Sequence, residues 1–379
     1  MIYLDNAATS FPKPEAVYAA MDSFMRTSAG NPGRSGHKLA VAAQRVVDDA
    51  RRELAALLNA PEPSRLIFAL NATDAINIAL KGLVQPGDHV ITTSMEHNAV
   101  VRPLTRLAGE GVPVTWVPCD GQGLLNPEDV AAAITPQTRL VVVNHASNVS
   151  GTLQPVAEVA DVARAHDLVF MVDAAQTAGC VPLHVQALQV DLLAFPGHKG
   201  LLGPPGTGGL YVGERADVRS FREGGTGSFS ESPEHPTDLP ARLEAGTHNS
   251  VGIAGLLAGV RFIRETGLTV IKDHERELSE LLWQGLAGVP GLRLHGPADA
   301  HARTGVVSFT MSDWEPADLG AVLDSSFDIA VRPGLHCAPL AHQTLGTFPR
   351  GTVRMSCGFF NTPADIHAAI AAVAAVAAG

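Results

Sequence analysis

Val172-Asp173-Ala174-Ala175-Gln176 and Leu192-Leu193-Ala194-Phe195-Pro196-Gly197-His198-Lys199-Gly200 decide how this chain folds. Each is an apolar run that stops abruptly at a charged or amide side chain. Runs that are apolar at every position, without alternation, suit strands buried on both faces of a sheet. In open sheets of parallel strands the polar groups that bind ligands gather at the carboxyl ends of the strands, where Asp173 and Lys199 fall.

Working outward, Leu66 to Leu70, His89 to Thr93, Val114 to Pro118, Leu140 to Asn144, Val169 to Asp173, Leu192 to Phe195 and Gly209 to Val212 all have the length and side-chain content of buried strands. Helix-like segments separate them. Asn126-Pro127 starts one, with Asn as cap and Pro at the first helical position, and Pro155-Val156-Ala157-Glu158 opens another. This alternation predicts an α/β fold with a seven-stranded, mainly parallel sheet covered by helices on both faces. The Gly- and Pro-rich stretch from Gly224 to Pro240 breaks the pattern and reads as a long loop. Beyond it, two helices between about 250 and 288, strands at Val306 to Thr310 and Thr352 to Ser356, and a final helix from Pro363 to Ala378 predict a smaller α+β domain. Ile366, Ile370 and Val373 give that Ala-rich end an apolar stripe, so it reads as a packed helix.

With 379 residues and 46% hydrophobic residues, the chain can fill more than one core. Its formal net charge of −11 argues against a general nucleic-acid binder, which needs clustered Lys and Arg. No apolar run is long enough to span a bilayer and Met1 to Asn6 has no leader pattern, so the expected location is the cytoplasm and no membrane contact is expected. Four cysteines, Cys119, Cys180, Cys337 and Cys357, are too sparse for a disulfide framework and lack Cys-x-x-Cys spacing, so no metal site is expected.

A lone Gly-His-Lys is most often a surface lysine in a turn. Beside Asp173, Lys199 reads differently: a lysine amine at a strand end can form a Schiff base with an aldehyde cofactor, pyridoxal phosphate, while a carboxylate on the neighbouring strand end keeps the pyridine nitrogen protonated. Asn71-Ala72-Thr73-Asp74-Ala75 follows the first strand and starts a helix, whose free N–H groups can hold a phosphate, with Thr73 adding a hydroxyl. Ser94-Met95-Glu96-His97-Asn98 ends the second strand with an imidazole able to stack on a flat ring.

In order along the chain these segments resemble the class V aminotransferase family of fold type I pyridoxal phosphate enzymes, and within it the SufS-like, group II cysteine desulfurases and the selenocysteine lyases. The resemblance runs from Tyr3-Leu4-Asp5-Asn6-Ala7-Ala8-Thr9 to Phe360-Asn361-Thr362. It implies that Lys199 binds the cofactor, Asp173 partners its ring nitrogen, His97 stacks on it, and Gln176 donates to its phenolic oxygen. Thr73, the backbone around Asp74, and His198 would hold the phosphate. Glu244-Ala245-Gly246-Thr247-His248-Asn249 resembles the stretch whose threonine reaches a partner subunit's cofactor, implying a homodimer. Arg354 would grip the substrate carboxylate bidentately, assisted by Asn148 and with Arg332 in support. Gly30-Asn31-Pro32-Gly33-Arg34-Ser35-Gly36-His37 resembles a further active-site segment, in which Arg34 and His37 rank below the others. The implied domains are residues 1–14 as a segment near the active site, 15–249 as the cofactor-binding domain, and 250–379 as the small domain carrying a cysteine loop.

That loop is Arg332-Pro333-Gly334-Leu335-His336-Cys337-Ala338, similar to the Arg-x-Gly-x-His-Cys-Ala of group II desulfurases. A cysteine near Arg and His ionises more readily than a buried one, and Cys337 is the expected nucleophile. The implied reaction converts L-cysteine to L-alanine: Lys199 moves the α-proton, His97 gives or takes a proton, and Cys337 takes the sulfur as a persulfide for a sulfur-acceptor protein. L-selenocysteine as substrate, hence a selenocysteine lyase, is the nearest alternative. A class V aminotransferase or C–S lyase, and a non-catalytic sulfur-transfer scaffold, lie further off. Two departures from the family stand out: Pro196 occupies a position usually held by a hydroxyl residue, and no helix precedes Tyr3.

Overall fold

A computed structural model describes residues 1–33, 36–227 and 231–379. The chain opens with β1 (Ile2–Tyr3), α1 (Glu15–Thr27) and α2 (Lys38–Leu58). Next come β2 (Leu66–Ala69), α3 (Ala72–Leu83), β3 (His89–Thr93), α4 (Asn98–Gly109), β4 (Val114–Val117), α5 (Pro127–Ala132), β5 (Thr138–Asn144), α6 (Val156–Ala165), β6 (Val169–Asp173), β7 (Leu192–Pro196) and β8 (Gly208–Val212). Strands β2 to β8 form one sheet in the order β2-β8-β7-β6-β5-β3-β4. From β4 to β7 the neighbours are parallel, while β8 is antiparallel to both β7 and β2. All seven expected strands are present, with ends shifted by one or two residues.

The continuous apolar runs are explained by two cores. Along β6, Phe170 and Val172 face a core shared with α2, α6 and α7 (Ser250–Thr266), whereas Val169 and Met171 face one shared with α3 and α4. Every residue of β6 and β7 is buried. Each large side chain removed from water in this way contributes roughly 2 kcal/mol. Helix α5 starts as expected, the Asn126 side chain accepting from the Glu128 N–H at 3.2 Å with Pro127 next.

The small unit holds α8 (Leu268–Ala287), β9 (Leu292–His295), β10 (Val306–Met311), α9 (Pro316–Phe327), β11 (Ile329–Ala330), β12 (Arg332–Gly334), α10 (Pro339–Thr344), β13 (Thr352–Ser356) and α11 (Pro363–Ala377). Its antiparallel sheet runs β12-β13-β10-β9. Strand β1 pairs with β11, which brings the start of the chain onto this unit. Packing of α7 bears on the expected division at residue 250. Ile253, Leu256 and Val260 of α7 lie in the large core, while Leu278, Leu282 and Leu286 of α8 lie in the small one. We propose that the boundary falls at Gly267, between these helices, where a positive φ of 93° turns the chain.

Candidate active site

Strand register sets the floor of the site. Asp173 ends β6 opposite Asn144 on one side and Ala194 on the other, and the chain leaving β7 brings Lys199 back over the same edge. The two share a cavity of about 300 Å³ with His97, Gln176, His198, Asn148, Arg332, Cys337 and Arg354. Asp173 is buried, one carboxylate oxygen accepting the Ala175 N–H at 2.9 Å, and burial raises its pKa. Desolvation, then the Arg354 charge, lowers the Lys199 ammonium to about 8. A lysine so tuned is about one-tenth neutral at pH 7, far more than an ordinary lysine, and a nucleophilic or proton-carrying amine requires that form. His97 caps α4, its Nδ1 accepting from the Ala99 N–H at 3.0 Å. Desolvation first, then Lys199, lowers its pKa to about 4, so the ring is neutral with its proton on Nε2. Gln176 donates to the Ala7 carbonyl at 3.1 Å, tying the N-terminal segment to the cavity wall.

One end of the cavity suits an anion. The first turn of α3 opens there, with Asn71, Ala72 and Thr73 on the wall. Opposite lies His198, whose buried Nδ1 has no hydrogen-bond partner. Gly208 lets β8 approach: a Cβ there would meet the Phe195 carbonyl oxygen at 2.7 Å and the Asn71 Cα at 2.9 Å. Asp74 departs from expectation. Its N–H is taken by the Asn71 side chain at 2.9 Å, and its carboxylate turns to the Leu70 N–H and to Arg222. It holds the helix start in shape from outside the cavity. Pro196 lies on the wall, and His198 supplies the polar atom nearest in sequence.

The other end is cationic. Arg354, on β13, is 2% exposed and is held by the Asp5 carboxylate at 2.7 Å and the Asn148 carbonyl at 2.8 Å. Its Nε has no partner, leaving donor capacity for an incoming carboxylate. Arg332 sits opposite Arg354 across the β12–β13 ladder. Asn148 donates not to Arg354 but to the His336 carbonyl, at 2.7 Å.

Cys337 stands on the rim, exposed yet lining the cavity. Its carbonyl accepts the Asn98 N–H at 2.8 Å, next to the His97 cap. The expected help from the adjacent histidine is absent, because the His336 ring is directed to the Arg332 carbonyl and to His342 and is lowered to about 2, chiefly by burial. A neutral ring bonded elsewhere offers Cys337 no positive charge. The other thiols differ: burial pushes Cys119 up to about 11 and raises Cys180 and Cys357 strongly, as packing residues would be.

Thr247 and His37, like Asp74, lie outside this cavity. Thr247 is exposed in a neighbouring groove with Arg51 and Glu244. His37 caps α2, its Nδ1 accepting from the Ala40 N–H at 3.2 Å. Arg34 falls outside the described residues. Sequence reading passed over Asp5, although it stands in the Tyr3-Leu4-Asp5-Asn6 segment. It also passed over Lys13, whose ammonium donates to the His198 carbonyl at 2.8 Å, and His342, for which no motif gave a signal.

An aromatic ring bearing a phosphate and a cationic nitrogen fits these residues: Lys199 for its aldehyde, Asp173 for its nitrogen, His97 for its face, and the unpartnered His198 Nδ1 with the α3 start for its phosphate. The family described as Aminotransferase class-V matches residues 2–368. A probable cysteine desulfurase from Methanothermobacter thermautotrophicus is 36% identical over 374 residues, covering 97% of this chain and 92% of that protein. Among solved structures, the apo cysteine desulfurase from Thermococcus onnurineus NA1 superposes with a TM-score of 0.94 at 33% identity, over 100% of this chain and 95% of the other. A cysteine desulfurase from Escherichia coli, in its S-sulfonic acid form, gives 0.87 at 32% identity over 98% and 93%. Fold, cavity and likeness agree, and the chain belongs to the class V aminotransferase family, whose members depend on pyridoxal phosphate.

Proposed function

We propose that this chain is a cysteine desulfurase that converts L-cysteine to L-alanine and leaves the sulfur as a persulfide on Cys337. The observation that carries the reading is that one cavity joins Lys199 and Asp173 on its floor, Arg354 on its wall and an exposed Cys337 on its rim. When bound, pyridoxal phosphate draws electrons from the bonds at the substrate Cα. Arg354, with its unpartnered Nε, receives the substrate carboxylate, and Arg332 adds charge on the same side. Lys199 would hold the cofactor aldehyde and, as a free amine, carry the α-proton. His97, neutral, keeps its Nε2 proton as a hydrogen-bond donor toward the cavity. Cys337 forms the S–S bond as the substrate C–S bond breaks. The exchange balances without an external oxidant: a C–SH and the Cys337 S–H become a C–H and an S–SH.

The same support extends to assembly. Thr247, exposed outside the cavity, fits a role in a homodimer where it reaches the partner's cofactor. The persulfide would pass to a sulfur-acceptor protein. Four free cysteines, one of them exposed, suit the reducing cytoplasm. No helix among the described residues is long and apolar enough to cross a membrane.

Product analysis tests the reading. Cofactor-loaded protein given L-cysteine and a reductant should release alanine and sulfide in equal amounts. Pyruvate with ammonia would replace it with C–S elimination, and turnover confined to L-selenocysteine, undiminished in Cys337→Ala, would replace it with a selenocysteine lyase.

A further inference from the structure

His342 lies on α10, fully buried, and does not itself line the cavity. It nevertheless belongs to a chain of hydrogen bonds that ends on the cysteine loop. The order of donors follows from the groups involved. The Arg332 carbonyl can only accept, so His336 Nε2, 2.9 Å away, carries the proton. His336 is neutral, so its Nδ1 accepts, and the donor 3.2 Å away is His342 Nε2. His342 is neutral too, lowered to about 4 by burial, so its Nδ1 accepts from the Thr347 hydroxyl at 2.7 Å. The two rings meet edge to edge across this contact, with centroids 5.3 Å apart and planes at 28°.

This chain grips a strained piece of backbone. His336 and Cys337 both have left-handed φ, 50° and 59°, two successive residues with side chains in a region that favours glycine. Such a bend persists only when its surroundings over-determine it. Asn98 and Asn148 hold its two carbonyls from the large unit, and the Arg332 carbonyl holds the His336 ring from the strand side. Together with the Arg332 carbonyl, the His342 contact fixes which way that ring faces.

We propose that His342 is a positioning residue for Cys337: acting through the His336 ring, it locks the left-handed bend that presents the thiol at the rim of the cavity. The proposal rests on the desulfurase reading for its effect on turnover but not for its effect on the loop. Phenylalanine can fill the space beside His336 but cannot donate to it, whereas glutamine can donate. His342→Phe should therefore lower kcat for alanine formation about tenfold, the worth of one buried hydrogen bond, with KM for cysteine within about twofold because Arg354 is untouched. His342→Gln should recover most of the loss. Amide hydrogen exchange, measured on the cofactor-loaded protein, should quicken in the segment 331–345 of His342→Phe and stay unchanged in β6 and β7. Unchanged exchange in that segment, or a KM effect as large as the kcat effect, would overturn the proposal. Faster loop exchange in a protein whose wild type makes no alanine from cysteine would leave the positioning role standing and sink the desulfurase reading instead.

Discussion

Lys199 and Cys337 face the same cavity but are held there by opposite means. The floor around Lys199 is the end of a sheet: β6 and β7 are buried at every position, and their register alone brings Asp173 and the Lys199 segment together. The rim around Cys337 is a left-handed bend between a three-residue strand and a six-residue helix, its carbonyls held by the Asn148 side chain and the Asn98 backbone N–H. A floor of this kind suits a group that must stay put and lose its charge by desolvation. A rim of this kind suits a group that must be reached from the cavity and from solvent alike.

The contrast can be broken at its strongest point first. Lys199→Ala removes the cofactor anchor and should lower alanine formation at least about a thousandfold, with loss of the absorption band of the bound cofactor and little change in melting temperature. A band and turnover that survive would show that the floor does not hold the cofactor this way. A smaller effect comes from behind the floor, where a recess lined in part by Lys199, Cys180 and Cys357 contains Glu275, a buried carboxyl that desolvation raises to about 8. In the unfolded chain this group ionises near its ordinary value of 4.5, so between about pH 4.5 and 8 the folded state holds the extra proton and loses stability as pH rises. Glu275→Gln should flatten that slope and gain a few kcal/mol over wild type by pH 8, while turnover stays within about threefold. Equal slopes in urea titrations across that window would show that Glu275 is not held neutral.

The same contrast explains what the sequence disclosed. Each strand is a local signal, an unbroken apolar run, and a polar residue at its end inherits its place from the sheet; Asp173, Lys199, Asn148 and His97 were legible for that reason. Cys337 stood out through its motif, but the build of its loop did not, because the His336 ring is held by the Arg332 carbonyl and by His342 together. Asp74 misled for a similar reason: a helix start in sequence does not say that the Asn71 side chain takes the N–H of Asp74. Asp5 pairs with Arg354 across almost the whole chain, at 2.7 Å, because β1 joins the small unit through β11. Nothing local to Asp5 signals that partner.

The central claim is that sulfur leaves the substrate onto Cys337, and the mass of that residue tests it most directly. Cofactor-loaded protein is given a limiting amount of L-cysteine without reductant, the persulfides are trapped by alkylation, and each cysteine peptide is weighed. The account predicts one added sulfur atom on the Cys337 peptide, in step with the alanine formed, and none on Cys119, Cys180 or Cys357. Alanine formed while the Cys337 peptide stays unmodified, or sulfur found on one of the other three, would contradict it.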